Sequence, residues 1–136
     1  MRKIKTTLIV LLLMFLSPVY SQSEEEFKFI GSYDDGTEIY IKIEKEDIFS
    51  KEVWIKQINP TVSKKNKNGK YVKSGGDIIL RFIIMDCENK TYDQKDVLLY
   101  SSNGKLKEQN QEYEYRYGLR IVPSTNMDEI RKKICE

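Results

Sequence analysis

The side chains with the most chemistry to offer are two cysteines, Cys87 and Cys135. A cysteine pair can close a disulfide, stay as two buried free thiols, or supply a thiolate nucleophile. The chain has no histidine. That removes the commonest general base, the commonest metal ligand and the usual activator of a serine or cysteine nucleophile. If both cysteines are oxidised, the thiol nucleophile is gone as well. Carboxylate-only hydrolysis is what remains, and no pair of acids is marked for it by spacing. Asp34, Asp35 and Glu38 gather around Gly36 but lack the Asp-x-Asp-x-Asp-Gly order of a calcium loop, so they read as a hairpin turn. Asn89-Lys90-Thr91 fits a glycosylation sequon, which is incidental in a tight turn. The expectation is a protein that is not an enzyme and uses no cofactor or metal.

Two other groups suit binding. Lys64, Lys65, Lys67, Lys70 and Lys73 form a basic stretch with Tyr71 and Val72 as its only apolar grip. It could meet an acidic glycan or an acidic patch on a protein, although such runs are more often solvated loops. Tyr113, Tyr115 and Tyr117 recur at a spacing of two. They could form a recognition stripe, since tyrosine offers wide contact at low entropic cost. The plainer reading, and the favoured one, is one aromatic face of an amphipathic strand. Trp54, the single tryptophan, is expected to pack on a sheet near a helix or a dimer contact.

The N-terminus sets the compartment. Arg2, Lys3 and Lys5 precede an apolar run from Leu8 to Leu16, and Ser17-Pro18-Val19-Tyr20-Ser21 offers a cleavage site before Gln22. This is the tripartite pattern of a secretory signal over residues 1–21. The run is shorter than the ~20 residues of a comfortable membrane span; an uncleaved anchor is the rival reading. No cysteine follows the apolar run, so a lipoprotein anchor has no residue to acylate. Of the 23 basic residues three lie in the signal, which leaves 20 against 21 acids in the mature chain. A near-neutral balance gives no reason to expect nucleic acid or an anionic membrane as partner. In an oxidising compartment Cys87 and Cys135 read as one structural disulfide.

The elements that must hold these residues follow from periodicity. Phe27 to Tyr33 and Thr37 to Ile43 flank Asp35-Gly36, with Ile39, Ile41 and Ile43 on one face; this is a hairpin signal. Glu44 to Lys51 reads as a charged connection with Ile48 or Phe49 tucked under the sheet. Glu52 to Ile58 is a strand stopped at Pro60, and Thr61 to Gly76 a long loop or flexible strand extension. Asp77 to Cys87 is the most apolar strand, followed by Thr91 to Tyr100, the Asn103-Gly104 turn, and Glu112 to Ile121. Pro123-Ser124-Thr125-Asn126 stops the strand and offers helix N-cap side chains, Asp128 and Glu129 suit the N-terminal end, and Arg131, Lys132 and Lys133 suit the C-terminal end. Met127, Ile130 and Ile134 give a short helix one apolar stripe. Such a helix needs docking to persist. On the central strand Cys87 shares a face with Met85, Ile83, Arg81 and Ile79. The opposite row, Ile78, Leu80, Phe82 and Ile84, needs cover of its own, from a loop or, by slight preference, from a second copy or partner.

These residues resemble the surface-adhesin protein E-like domains of exported bacterial proteins. The likeness spans nearly all of residues 22–136. It rests on Phe29-Ile30-Gly31-Ser32, Asp35-Gly36, Tyr40-Ile41, Val53-Trp54-Ile55-Lys56, Asp86-Cys87-Glu88-Asn89-Lys90-Thr91-Tyr92, Ile121-Val122-Pro123-Ser124-Thr125 and the terminal Cys135. The resemblance implies an α+β fold, a single antiparallel sheet of about six strands with the C-terminal helix tethered to one face by the disulfide. It implies a bacterial surface or periplasmic protein, an adhesin in some members and a dimer in some. Lys42 stands where the family usually has aspartate, and Pro123-Ser124-Thr125 replaces its usual Pro-Gly-Ser. The functional expectation is an exported, adhesin-like binding protein for a protein or glycan partner, with a homodimer as one arrangement and no stable membrane insertion after signal cleavage. The alternative is a periplasmic inhibitor or accessory protein that binds a cognate envelope component.

Overall fold

The computed structural model describes residues 26–109 and 116–136. The export segment 1–21, with Tyr113 and Tyr115, lies outside the described residues. In chain order the elements are β1 (Lys28–Ser32), β2 (Glu38–Glu46), β3 (Ser50–Ile58), β4 (Thr61–Lys65), β5 (Tyr71–Gly75), β6 (Ile78–Asp86), β7 (Thr91–Tyr100), β8 (Leu106–Gln109), β9 (Arg116–Arg120) and α1 (Asn126–Cys135). β1, β2, β3, β6, β7 and β8 form an antiparallel meander, and β9 adds to β7 as a seventh strand. β8 pairs with Leu98 to Tyr100 and β9 with Thr91 to Gln94, so the two short strands share one edge of β7. β4 and β5 form a separate two-stranded sheet.

Turn chemistry explains the hairpins. Tyr33–Thr37, Asn66–Lys70 and Ser101–Lys105 close in the same way. The first residue's N–H donates to the last carbonyl (2.8 Å in each), and the glycine N–H donates back to the first carbonyl. Gly36, Gly69 and Gly104 take the positive φ that this turn requires at its fourth residue. Between β6 and β7 the Asp86 carboxylate accepts from the N–H of Glu88 (3.0 Å) and of Asn89 (2.9 Å), which presents Cys87 at the mouth of the turn.

One face of the sheet is the core. Ile39, Ile41, Val53, Ile55, Ile83 and Met85 are buried there beneath Ile130 and Ile134 of α1, and Met127 and Cys135 pack against the same cluster. The apolar stripe read from the sequence is thus the docking face of the helix. Thr125 caps it, accepting the Asp128 N–H on its hydroxyl (3.4 Å), while the Asp128 carboxylate accepts from the Ser124 N–H (3.1 Å) and the Arg131 Nε–H (3.0 Å). At the other end Lys51 Nζ donates to the Ile134 carbonyl (2.8 Å). The Cys87–Cys135 disulfide links this end to the β6–β7 turn across 48 residues.

The β2–β3 connection departs from expectation. Strand β2 runs on to Glu46, and the Asp47 N–H donates to the Ser50 carbonyl (2.8 Å). Ile48 and Phe49 therefore sit at the hairpin tip, 87% and 65% exposed, and do not tuck under the sheet. A two-residue turn at the end of long strands carries its side chains past the last row that the helix can cover.

Candidate functional site

Of the two expectations for the lysine stretch, a loop or a strand extension, the structure shows the extension. Thr61 pairs with Gly75, Ser63 with Lys73, Lys64 with Val72 and Lys65 with Tyr71, so the segment is a regular hairpin. It continues the β3–β6 ribbon through a bend, where the Asn59 N–H donates to the Asp77 carbonyl (2.9 Å) and the Gly76 N–H to the Pro60 carbonyl (3.3 Å). Gly75, at φ +90, lies so close to the Pro60 carbonyl that a Cβ has no room. Every residue of β4 and β5 is exposed. The result is an arm projecting from the sheet.

Directly paired residues share a face, so Lys64 lies on one side of the arm and Lys65 and Lys73 on the other. Lys67 and Lys70 belong to the turn. No acidic residue occurs between Pro60 and Gly76, so nothing within the arm neutralises its five charges. The Lys65 ammonium stands 5.8 Å from the Tyr71 ring centre, and that ring is 74% exposed. The signal overlooked in the sequence was Asn68-Gly69, a turn pair like Asp35-Gly36 and Asn103-Gly104.

Of the three tyrosines, the structure describes Tyr117. It is exposed on β9, with the Lys95 ammonium 4.5 Å from its ring centre. The expected alternation does not run through it. Leu119 faces Tyr92 and Arg116 faces Gln94, which leaves an extra residue on β9 between the two pairs. A bulge of this kind turns Tyr117 off the face that carries Leu119.

Ile78, Leu80, Phe82 and Ile84 lie, as their alternation requires, on the face opposite α1. They pair with Ile58, Lys56, Trp54 and Glu52 of β3, and Leu80 also faces Leu98 of β7. Trp54 stacks obliquely on Phe82 with ring centres 4.9 Å apart, so it belongs to this face and not to the helix side. Further out Lys56 caps the rings of Phe27 (4.5 Å) and Tyr40 (4.8 Å). The row is half-buried by these neighbours, and among the described residues no helix or second sheet lies over it.

A disulfide places the chain in a non-cytoplasmic, oxidising setting. Among the described residues no helix is long and apolar enough to cross a membrane. Comparisons with protein-family models, with curated proteins and with solved structures found no match.

Proposed function

We propose that the protein is an exported binding module, adhesin-like as its family resemblance implies, which holds an anionic protein or glycan partner on the β4–β5 arm. The observation that carries this reading is the arm itself, a paired hairpin outside the core with five lysines and no acid. One exposed ion pair contributes only about 0.2–1 kcal/mol. Five on one short hairpin act together, and because they occupy both faces and the tip they suit a partner that wraps the arm. Val62, Tyr71 and Val72 add exposed apolar contact. Export is supported by the signal-like segment 1–21 and by the disulfide.

The test is to replace residues 60–76 by an Asn-Gly turn joining Asn59 to Asp77, beside a variant with the five lysines changed to glutamine. Both are expected to keep a melting temperature near wild type, because the arm packs mainly on itself. Both should lose salt-dependent retention on immobilised heparin. Retention equal to wild type in either variant would remove the arm from the site. Fractionation of the native cells separates a surface adhesin from the periplasmic accessory role, for which a strictly periplasmic pool would speak.

A further inference from the structure

Helix α1 covers only part of its face. Ten residues of helix extend roughly 15 Å, whereas the nine residues of β3 or β6 extend roughly 30 Å. The disulfide and Lys51 hold the C-terminal end of α1 at the β6–β7 turn, so the uncovered remainder lies beyond its first turn. There the structure has a cleft of about 530 Å³. Its apolar floor includes Ile39, Ile55 and Ile130, and its polar wall includes Arg81, Tyr33 and Asn59.

Arg81 is the unusual member. It stands on the central strand between Ile55 of β3 and Val97 of β7, both buried. Its own side is half-buried, yet among the described residues no carboxylate or hydrogen-bond acceptor engages its guanidinium. Among the described residues no side-chain nitrogen or oxygen is buried without a partner, so the guanidinium meets water at the cleft, where an anion can replace that water. The neighbouring polar groups add donors that reach water. Tyr33 and Tyr92, both on the cleft wall, make no hydrogen bond through their hydroxyls among the described residues. Gln57 Nε2 donates to Asn59 Oδ1 (3.0 Å), and both residues line the cleft. The one acid on the rim, Asp35, has an oxygen already engaged by the Thr37 N–H (2.9 Å).

From this convergence of donors over an apolar floor we infer that the cleft is a binding site for a small monocarboxylate with an apolar body, its carboxylate forked onto Arg81 and its body on Ile39, Ile55 and Ile130. A planar guanidinium matches a carboxylate with two parallel N–H···O bonds. A single positive charge with Asp35 on the rim suits a monoanion better than a doubly charged phosphate. The site lies across the sheet layer from the Trp54 face and is independent of the arm.

The test is a titration of the full mature protein with benzoate, octanoate and inorganic phosphate, followed by NMR of the Arg81 Nε–H and the Met127 methyl. The carboxylates are expected to produce saturable shifts at both probes, and phosphate none. Arg81→Gln should weaken carboxylate binding by at least roughly tenfold, the usual worth of a charge-assisted pair. Arg81→Lys, which keeps the charge without the fork, should fall between; it serves alone if the glutamine variant does not fold. Tyr33→Phe should weaken binding less than either. Absence of saturable shifts, equal binding of phosphate, or affinity unchanged in the arginine variants would overturn the assignment.

Discussion

Removing Cys135 tests the fold where its covalent and packing terms meet. The disulfide spans a separation of 48 residues. On the loop-entropy relation a closed loop of that length restricts the unfolded chain by about 4 kcal/mol at 25 °C. With an unfolding entropy of roughly 2.1 cal/mol/K per residue over the about 115 residues from Gln22 to Glu136, the same energy corresponds to a fall in Tm of about 15 °C. The native state changes too. Ile130 and Ile134 are buried by docking, and each contributes about 1.5–3 kcal/mol. Ordering the ten residues of α1 costs about 1–2 kcal/mol apiece in backbone entropy. The staple therefore decides whether the helix stays down. Cys135→Ser, and Cys87→Ser with Cys135→Ser so that no thiol can cross-link, should melt about 15 °C below wild type by circular dichroism. Amides of Asn126 to Cys135 should exchange fast while those of β3, β6 and β7 stay protected. A Tm within about 3 °C of wild type under oxidising conditions, or helix amides as protected as those of β6, would refute the reasoning.

Ile83 is fully buried on the central strand beneath α1, so Ile83→Ala should cost about 2–5 kcal/mol in urea denaturation; a loss under 1 kcal/mol would mean that the helix does not pack there. Stability should be flat near neutrality and fall on both sides. The carboxyls of Asp128, held by the Arg131 side chain and the Ser124 N–H, of Asp86, held by Asn89, and of Asp35, held by Thr37, all lie below the usual carboxylate value. Their contribution is complete above the unfolded value near 3.9 and is lost as pH falls through the folded values, because the unfolded chain then binds more protons. Lys132 is raised by Glu129, Tyr33 by burial and Tyr40 by its bond to Glu38. These favour the protonated forms, so their contribution is complete below about pH 10 and is lost above it. A urea midpoint that rises as pH falls from about 5 to 3 would contradict the acid limb.

Much of this architecture was legible locally. Alternation placed Ile39 and Ile41 together and separated Ile83 and Met85 from Leu80 and Phe82. The three-and-four spacing of Met127, Ile130 and Ile134 describes a helix with one docking stripe without reference to any sheet. Asp35-Gly36 and Asn103-Gly104 marked turns because only a few residue types tolerate their backbone angles. The candidate binding residues were less legible. Five lysines suggested a solvated loop, since charge says nothing of pairing; the arm exists because Lys64 meets Val72 and Lys65 meets Tyr71. Tyr117 looked like part of a continuous stripe because a bulge leaves no mark in spacing.

With only two cysteines in the chain, the sequence alone determined that any intramolecular disulfide must join Cys87 to Cys135, and it determined which rows of side chains are apolar. Those properties belong to single residues and their near neighbours along the chain. Tertiary structure decided the rest: that α1 covers the Cys87 side for only part of its length, that Trp54 faces away from it, and that Arg81 is left at the wall of a cleft. Each of these depends on where a segment lands relative to strands tens of residues away, and on a helix being shorter than the sheet beneath it. That comparison of lengths exists only once both elements share one space.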